Sequence, residues 1–181
     1  MSPLTHRYGT VDPDYGLRLA TWDPAADHGV YMLNLMKYRA EADYGEGGEQ
    51  GVSGREADDR YAPLDVLAAI GASVCFVADV VDGSEDWDRV AVARYPTRRS
   101  FIEMQSRPDF QARHVHKDAG MDRTIVMGTV PVGGLPGTTS GPVLLEVWRG
   151  ATPPPSATRA PTPFAVEGTI LGDGRSWTGA R

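Results

Sequence analysis

"GVYMLNLMKYR" (residues 29–39) is the stretch on which the fold turns. In an extended chain, Val30, Met32, Asn34, Met36 and Tyr38 fall on one side, and Tyr31, Leu33, Leu35 and Lys37 on the other. Both sides are largely apolar, which predicts an interior strand covered on two faces. Asn34 breaks the pattern. Strand interiors disfavour Asn, and a buried amide must find partners. Asn34 is therefore a candidate for orienting a bound molecule, with a structural amide as the alternative reading.

Working outward, residues 1–28 are polar and punctuated by Pro3, Pro13 and Pro24, and are read as an irregular N-terminal arm. After the strand, the acidic, glycine-rich segment 40–54 is read as a mobile loop. Ser53 and Glu56 then make a capping box for a helix carrying Ala57, Tyr61, Leu64, Leu67 and Ile70 inward. Pro63 predicts a kink or break near Asp59, and Gly71 suits the C-terminal cap. Residues 73–81 and 88–95 read as a hairpin. Thr97 caps a short helix with Phe101 and Met104 facing in, and Pro108 opens a further helix running to about Ala119. Residues 123–130 are the next strand.

The order over 29–130 is β-α-β-β-α-β, the ferredoxin-like pattern of an α+β fold. Residues 131–181 form a proline- and glycine-rich tail with an additional strand at 143–150 and a hairpin around "GDG" (172–174). The tail strands echo "GVYMLNLMKYRA" and the 76–94 hairpin, so a degenerate internal repeat is one reading and chance likeness of apolar strands the other.

Composition narrows the partners. The 181 residues are 41% hydrophobic and 23% charged, with a net charge of −6. That balance argues against nucleic acid or an anionic membrane, both of which attract basic surfaces. Arg94, Arg98, Arg99, Arg107 and Arg113 cluster in sequence and leave a local anion site open. A single cysteine, Cys75, forbids an intrachain disulfide and points to a reducing, cytoplasmic setting. No apolar run is long enough to cross a bilayer, and the first ten residues lack the apolar segment of a signal peptide.

By "MLNLMKYR", "GREADDRYAPL" and "YPTRRSFIEMQSRPDFQARHVH", the chain resembles the dimeric α+β barrel superfamily over residues 29–130, and within it an uncharacterised group. That group is related to antibiotic-biosynthesis monooxygenases, polyketide cyclases and EthD-like proteins. The resemblance implies a homodimer of ferredoxin-like subunits, with a pocket between sheet and helices. It also implies a range of activities, from cofactor-free oxygenation and cyclisation to heme degradation, among which fold does not choose.

Histidines 114 and 116 are the residues best suited to chemistry. On a strand an H-x-H pair could chelate a metal. On a helix each residue turns the side chain by about 100°, so the two diverge and no shared metal site is expected. Phe110, Arg113, His114 and Lys117 share one helical face, and His116 is expected to point to solvent. His114 is then the candidate proton carrier, Asn34 the orienting amide, and Arg113 the group stabilising negative charge. Met32, Met36, Tyr38, Tyr61, Arg94 and Phe110 are the candidates for substrate contact, with an Arg94–Asp79 ion pair as the plainer reading of Arg94.

The expected function is a small cofactor-independent enzyme acting on an aromatic or polyketide-like substrate. Two alternatives stay open: a heme protein with His114 as axial ligand, and a non-catalytic ligand-binding or assembly protein. The heme-degrading members carry a Trp on the preceding helix where this chain has Met104 or a neighbour.

Overall fold

A computed structural model describes residues 5–83, 85–133, 141–152, 155 and 163–181. Its centre is β3 (Val30–Tyr38), flanked by β5 (Arg89–Tyr95) and β6 (Met121–Pro131), both antiparallel to it. β4 (Ser73–Asp79) pairs with β5 and forms one edge. Two helical segments cross between these strands. The first is α2 (Gly54–Tyr61) and α3 (Leu64–Ala69); the second is α4 (Arg98–Gln105), α5 (Pro108–Gln111) and α6 (His114–Gly120). The chain is thus α+β with an antiparallel sheet, and strands β6-β3-β5-β4 are adjacent in that order.

Local signals explain the boundaries. Ser53 and Glu56 close a capping box at the start of α2, and Thr97 and Ser100 do the same for α4. The break expected near Asp59 falls at Ala62, because a residue ahead of a proline is pushed out of the helical region. Gly71 adopts φ +72 just beyond α3, which suits glycine at a helix end. The single helix expected over 108–119 is two: the chain tightens at Ala112 and Arg113, where amides turn back to residues three and four earlier.

The first 28 residues are not an irregular arm. β1 (Thr5–His6) and β2 (Gly9–Val11) make a hairpin, and α1 (Pro13–Ala20) follows, capped by Asp12 and opened by Pro13. β2 pairs with β8 (Phe164–Gly172), which pairs in turn with β6. The tail therefore widens the chain's own sheet. Tyr15 of α1 lies fully buried over Gly128 and Gly168, directly paired across β6 and β8. A Cβ at Gly128 would sit 1.8 Å from the Tyr15 hydroxyl and one at Gly168 2.7 Å from its ring, so the ring lies flat only because both positions lack side chains. Arg98 fastens this corner. Its guanidinium pairs with Asp27 at 2.6 Å and Glu167 at 2.5 Å and stacks 4.0 Å from the Trp22 ring.

The tail strand expected over 143–150 is shorter, β7 (Val147–Trp148), and it pairs with β9 (Gly179–Ala180). β9 also pairs with β8, closing the expected hairpin around residues 172–174. The proline-rich run at 151–163 and the linker at 131–142 fall largely outside the described residues.

Both faces of β3 are covered, as its two-sided apolar pattern requires. Met32, Met36 and Tyr38 pack toward the helices, with Phe101, Met104 and Phe110. Leu33 and Leu35 pack on the opposite face with Ile125 and Met127, under Phe164 and Trp177 from the tail. No helix among the described residues is long and apolar enough to cross a membrane.

Candidate functional site

The helix-facing layer holds a polar cluster among aromatic rings. It is assembled where α6 crosses α2. The crossing is tight because glycines meet there: a Cβ on Gly120 would lie 2.5 Å from the Gly54 carbonyl oxygen and 2.6 Å from the Ala57 Cβ. This contact brings His114 and Lys117 of α6 against Tyr61 of α2. The β1–β2 hairpin adds His6 and Tyr8, and the Tyr8 carbonyl accepts from the Thr124 amide of β6.

The His114 ring lies 4.8 Å from Phe110, 5.9 Å from Tyr61 and 6.5 Å from His6, centroid to centroid. Its Nε2 is buried without a hydrogen-bond partner. Burial, and secondarily the Lys117 charge, lower its pKa from the ordinary 6.5, so the imidazole is neutral at pH 7. An unsatisfied buried ring nitrogen costs stability, and such costs concentrate where a group is kept for chemistry.

Lys117 lies three residues on. Its ammonium sits 4.8 Å from the Tyr61 ring centre and 5.5 Å from that of Tyr8. Among the described residues no carboxylate lies within ion-pair distance of it. Desolvation lowers its pKa, with Asp58 and Asp118 opposing from further off. Asp58 is already committed. It accepts from the Tyr38 hydroxyl at 2.6 Å and from Arg89 at 3.3 Å, and Arg89 also pairs with Asp59 at 2.9 Å. Burial drives the phenols of Tyr8, Tyr38 and Tyr61 upward, so all three stay protonated donors.

Asn34 lies on the same helix-facing side of β3 as Met32, Met36 and Tyr38, opposite Ala91 of β5 and Val126 of β6. Its Nδ2 donates to the Met32 carbonyl at 2.9 Å and reaches Ala91 at 3.5 Å. Met32, Met36, Tyr38 and Phe110 belong to one buried cluster, and Tyr61 packs against it.

Two candidates stand elsewhere, and His116 departs from its expected place. Arg113 turns away from His114, to the Ala62 carbonyl at 3.0 Å and Asp65 at 2.7 Å, because it sits at the break between α5 and α6. Arg94 shares a strand face with Val90 and Val92, which packs opposite to the helices, and it is exposed. Register also rules out its pairing with Asp79: Arg94 lies opposite Ser73, whereas Asp79 lies opposite Arg89 and pairs with Arg55 at 2.6 Å. His116 does not face solvent; its Nδ1 lies 2.9 Å from the Tyr44 hydroxyl.

That contact also corrects the loop at 40–54. The segment is pinned to α6 and α2 through Tyr44–His116, Asp43 N to the Ala119 carbonyl, and an Arg60–Glu49 ion pair at 2.7 Å. Nor do the clustered arginines form an anion site. Arg98, Arg107 and Arg113 are each paired to carboxylates, and Arg99 donates to the Ala20 carbonyl.

Sequence reasoning missed His6, Tyr8 and Asp58, which reach the cluster only by tertiary packing. Lys117 was placed on the right face but given no role. A signal was available, since of the eighteen Lys and Arg residues only two, Lys37 and Lys117, are lysines. Lys37 is paired with Asp86 at 2.9 Å and Asp88 at 3.1 Å.

The residues do not fit a heme. Aromatic rings occupy the space about His114, and the nearby carboxylates Asp58 and Asp118 would oppose propionates. Two cavities lie away from Asn34 and His114. One is an open groove of about 400 Å³ lined by residues 80–83 and 85–88, and the other a small, largely apolar-lined cavity of about 60 Å³ between Leu33, Phe164 and Leu145.

No family model and no curated protein matches the chain. Two solved structures are similar. One is the methylated RPA0582 protein, with 26% identity and a TM-score of 0.56 over 69% of this chain and 96% of that one. The other is the RPA0582 protein of unknown function from Rhodopseudomonas palustris, with 23% identity and a TM-score of 0.55 over 72% of this chain and all of that one.

Proposed function

We propose that the protein is a small enzyme that moves protons on an aromatic or polyketide-like carbonyl substrate, without a bound metal or redox cofactor, in the helix-facing layer. The carrying observation is the neutral His114 imidazole with its buried, unpartnered Nε2. A neutral imidazole near pH 7 can accept a proton from carbon or oxygen and return it. Asn34 supports the reading, since no residue donates to its Oδ1 among the described contacts. Tyr8 and Tyr61 are protonated phenols able to donate to a developing oxyanion.

The strand order β6-β3-β5-β4 with two helical crossings supports a ferredoxin-like unit, and the unpaired edge at β4 supports a homodimer. That edge exposes Val74 and Val77, and among the described residues no strand pairs with β4 on its outer side.

The test is deuterium exchange at the α-carbon of a 1,3-diketone such as 1-phenylbutane-1,3-dione, followed by NMR. His114→Ala should slow enzyme-dependent exchange by roughly 10²-fold, the lower range for a lost general base. Exchange equal in His114→Ala and the parent protein would refute the role of His114.

A second reading, a non-catalytic assembly or ligand-binding protein, draws on one observation: side chains fill the layer around His114, and the two cavities lie elsewhere. Absence of exchange with every carbonyl compound in such a series would favour it.

A further inference from the structure

We infer that Lys117 is a covalent catalyst, a nucleophilic amine that forms an imine with an aldehyde or ketone carrying an apolar or aromatic body. The inference rests on reading the helix-facing layer as a reaction site, but not on His114 being the base there.

Three observations carry it. The chain meets its need for cations with arginine almost everywhere, and a guanidinium cannot shed its proton in a protein. Lysine is retained at two places. At Lys37 it is held protonated between Asp86 and Asp88. At Lys117 it is enclosed by the Tyr61 and Tyr8 rings, with no carboxylate of the described residues in ion-pair range. A half-buried ammonium left without a counter-ion yields the free amine, the form that attacks a carbonyl, more readily than one held between carboxylates as Lys37 is. The groups around it come from every packed element: His114 and Asp118 from α6, Asp58 and Tyr61 from α2, His6 and Tyr8 from the hairpin. Asp58 and Asp118 disfavour an anionic substrate, and the rings favour a flat apolar one. Lys117 remains partly exposed, so a small molecule can reach it.

The step balances without an oxidant or reductant. The Lys117 nitrogen forms a bond to the carbonyl carbon, and the C=O π pair moves to oxygen. Nitrogen sheds a proton and oxygen gains one, giving a carbinolamine. The nitrogen lone pair then expels the hydroxyl group, which takes a second proton and leaves as water, and the resulting iminium gives its remaining N–H proton back to the group that supplied it. Net, amine and carbonyl give imine and water. His114, on the same face and bordering the same Tyr61 ring, or water can accept and return the proton. Once protonated, the imine draws electrons from a neighbouring C–H or C–C bond, which is how cofactor-free dehydration, decarboxylation or carbon–carbon cleavage of a β-dicarbonyl compound proceeds.

The test is reductive trapping. The full chain is incubated at pH 7 with benzaldehyde and sodium cyanoborohydride, and peptide mass spectrometry reads benzylation at Lys37, Lys117 and the N-terminal amine. Lys117 should be labelled roughly tenfold faster than Lys37 or more, each unit of lowered pKa being worth about tenfold in free amine. Unfolding in urea should equalise the two lysines. In Lys117→Arg the position holds a guanidinium that cannot attack a carbonyl, and total labelling should fall to that of Lys37 and the N-terminus. Lys117 labelled no faster than Lys37 in the folded chain would overturn the inference. Fast labelling of Lys117 without diketone exchange would leave the imine standing and remove the proton-transfer role of His114. Exchange without fast labelling would remove the imine alone.

Discussion

The two faces of the sheet bury comparable apolar side chains yet treat polar groups differently. On the tail-covered face, Leu33, Leu35, Ile125 and Met127 meet Phe164 and Trp177, and a small, largely apolar-lined cavity lies beside Leu33 and Phe164. Its charged neighbours gather around the rings there: Arg149 and Arg175 stack on Trp177 and Arg123 on Trp87, with Trp177 Nε1 and Arg123 Nε also buried without partners. On the helix-facing side, an imidazole, an ammonium and three phenols are drawn inside the aromatic packing. Apolar packing alone would serve folding better on both faces. On the proposed reading, the tail-covered face is scaffold and the helix-facing layer, with its imidazole and ammonium, is the reaction site.

The largest effect expected is at the corner that closes the helix-facing layer. Arg98→Met leaves Asp27 and Glu167 buried without their counter-ion and should cost about 3–5 kcal/mol in urea unfolding. Met127→Ala, at 0% exposure on the scaffold face, should cost about 2–5 kcal/mol while leaving diketone exchange per folded molecule unchanged. A drop in exchange there would erase the division between the faces. Gly120→Ala forces α6 off α2 and should cost about 1–3 kcal/mol. Unlike Met127→Ala, it should also lower exchange and Lys117 labelling, because it moves both α6 groups relative to Tyr61.

The smallest effect sharpens the comparison most. The His114 pKa is lowered on folding, so below 6.5 the unfolded chain takes up the proton first. The histidine's contribution to stability therefore rises with pH through the window between its folded pKa and 6.5, and is lost as pH falls through it. His114→Phe removes the orphaned nitrogen. It should leave stability at pH 7.5 equal or slightly raised, lose less stability than the parent between pH 7 and pH 5, and abolish exchange. Equal pH slopes in the two proteins would show that His114 is not the desolvated group.

The strands of residues 29–130 and the caps of α2 and α4 were legible because each rests on a local rule: alternation, a capping box, a proline at a helix start. The N-terminal segment was not read, although Asp12 followed by Pro13 is itself a helix-start signal. Strands of two and three residues are too short for alternation to show, and β2 joins the main sheet only through β8, about 160 positions away. The face shared by Phe110, His114 and Lys117 was legible from helical spacing even though the helix is broken at Ala112. Arg113 was misplaced by that same break, and Arg94 by assuming a hairpin register. His6, Tyr8 and Asp58 reach the cluster through packing between distant segments, which spacing along the chain does not encode.

The pairing of β2 with β8 sets an order on synthesis. Residues 5–20 leave the ribosome well before the strand their hairpin pairs with, and before the Gly168 and Glu167 that seat Tyr15 and Arg98. The edge of β2 therefore waits for β8, a strand made after Lys117 itself. The corner that carries His6 and Tyr8 to the cluster is completed from a segment distant in sequence.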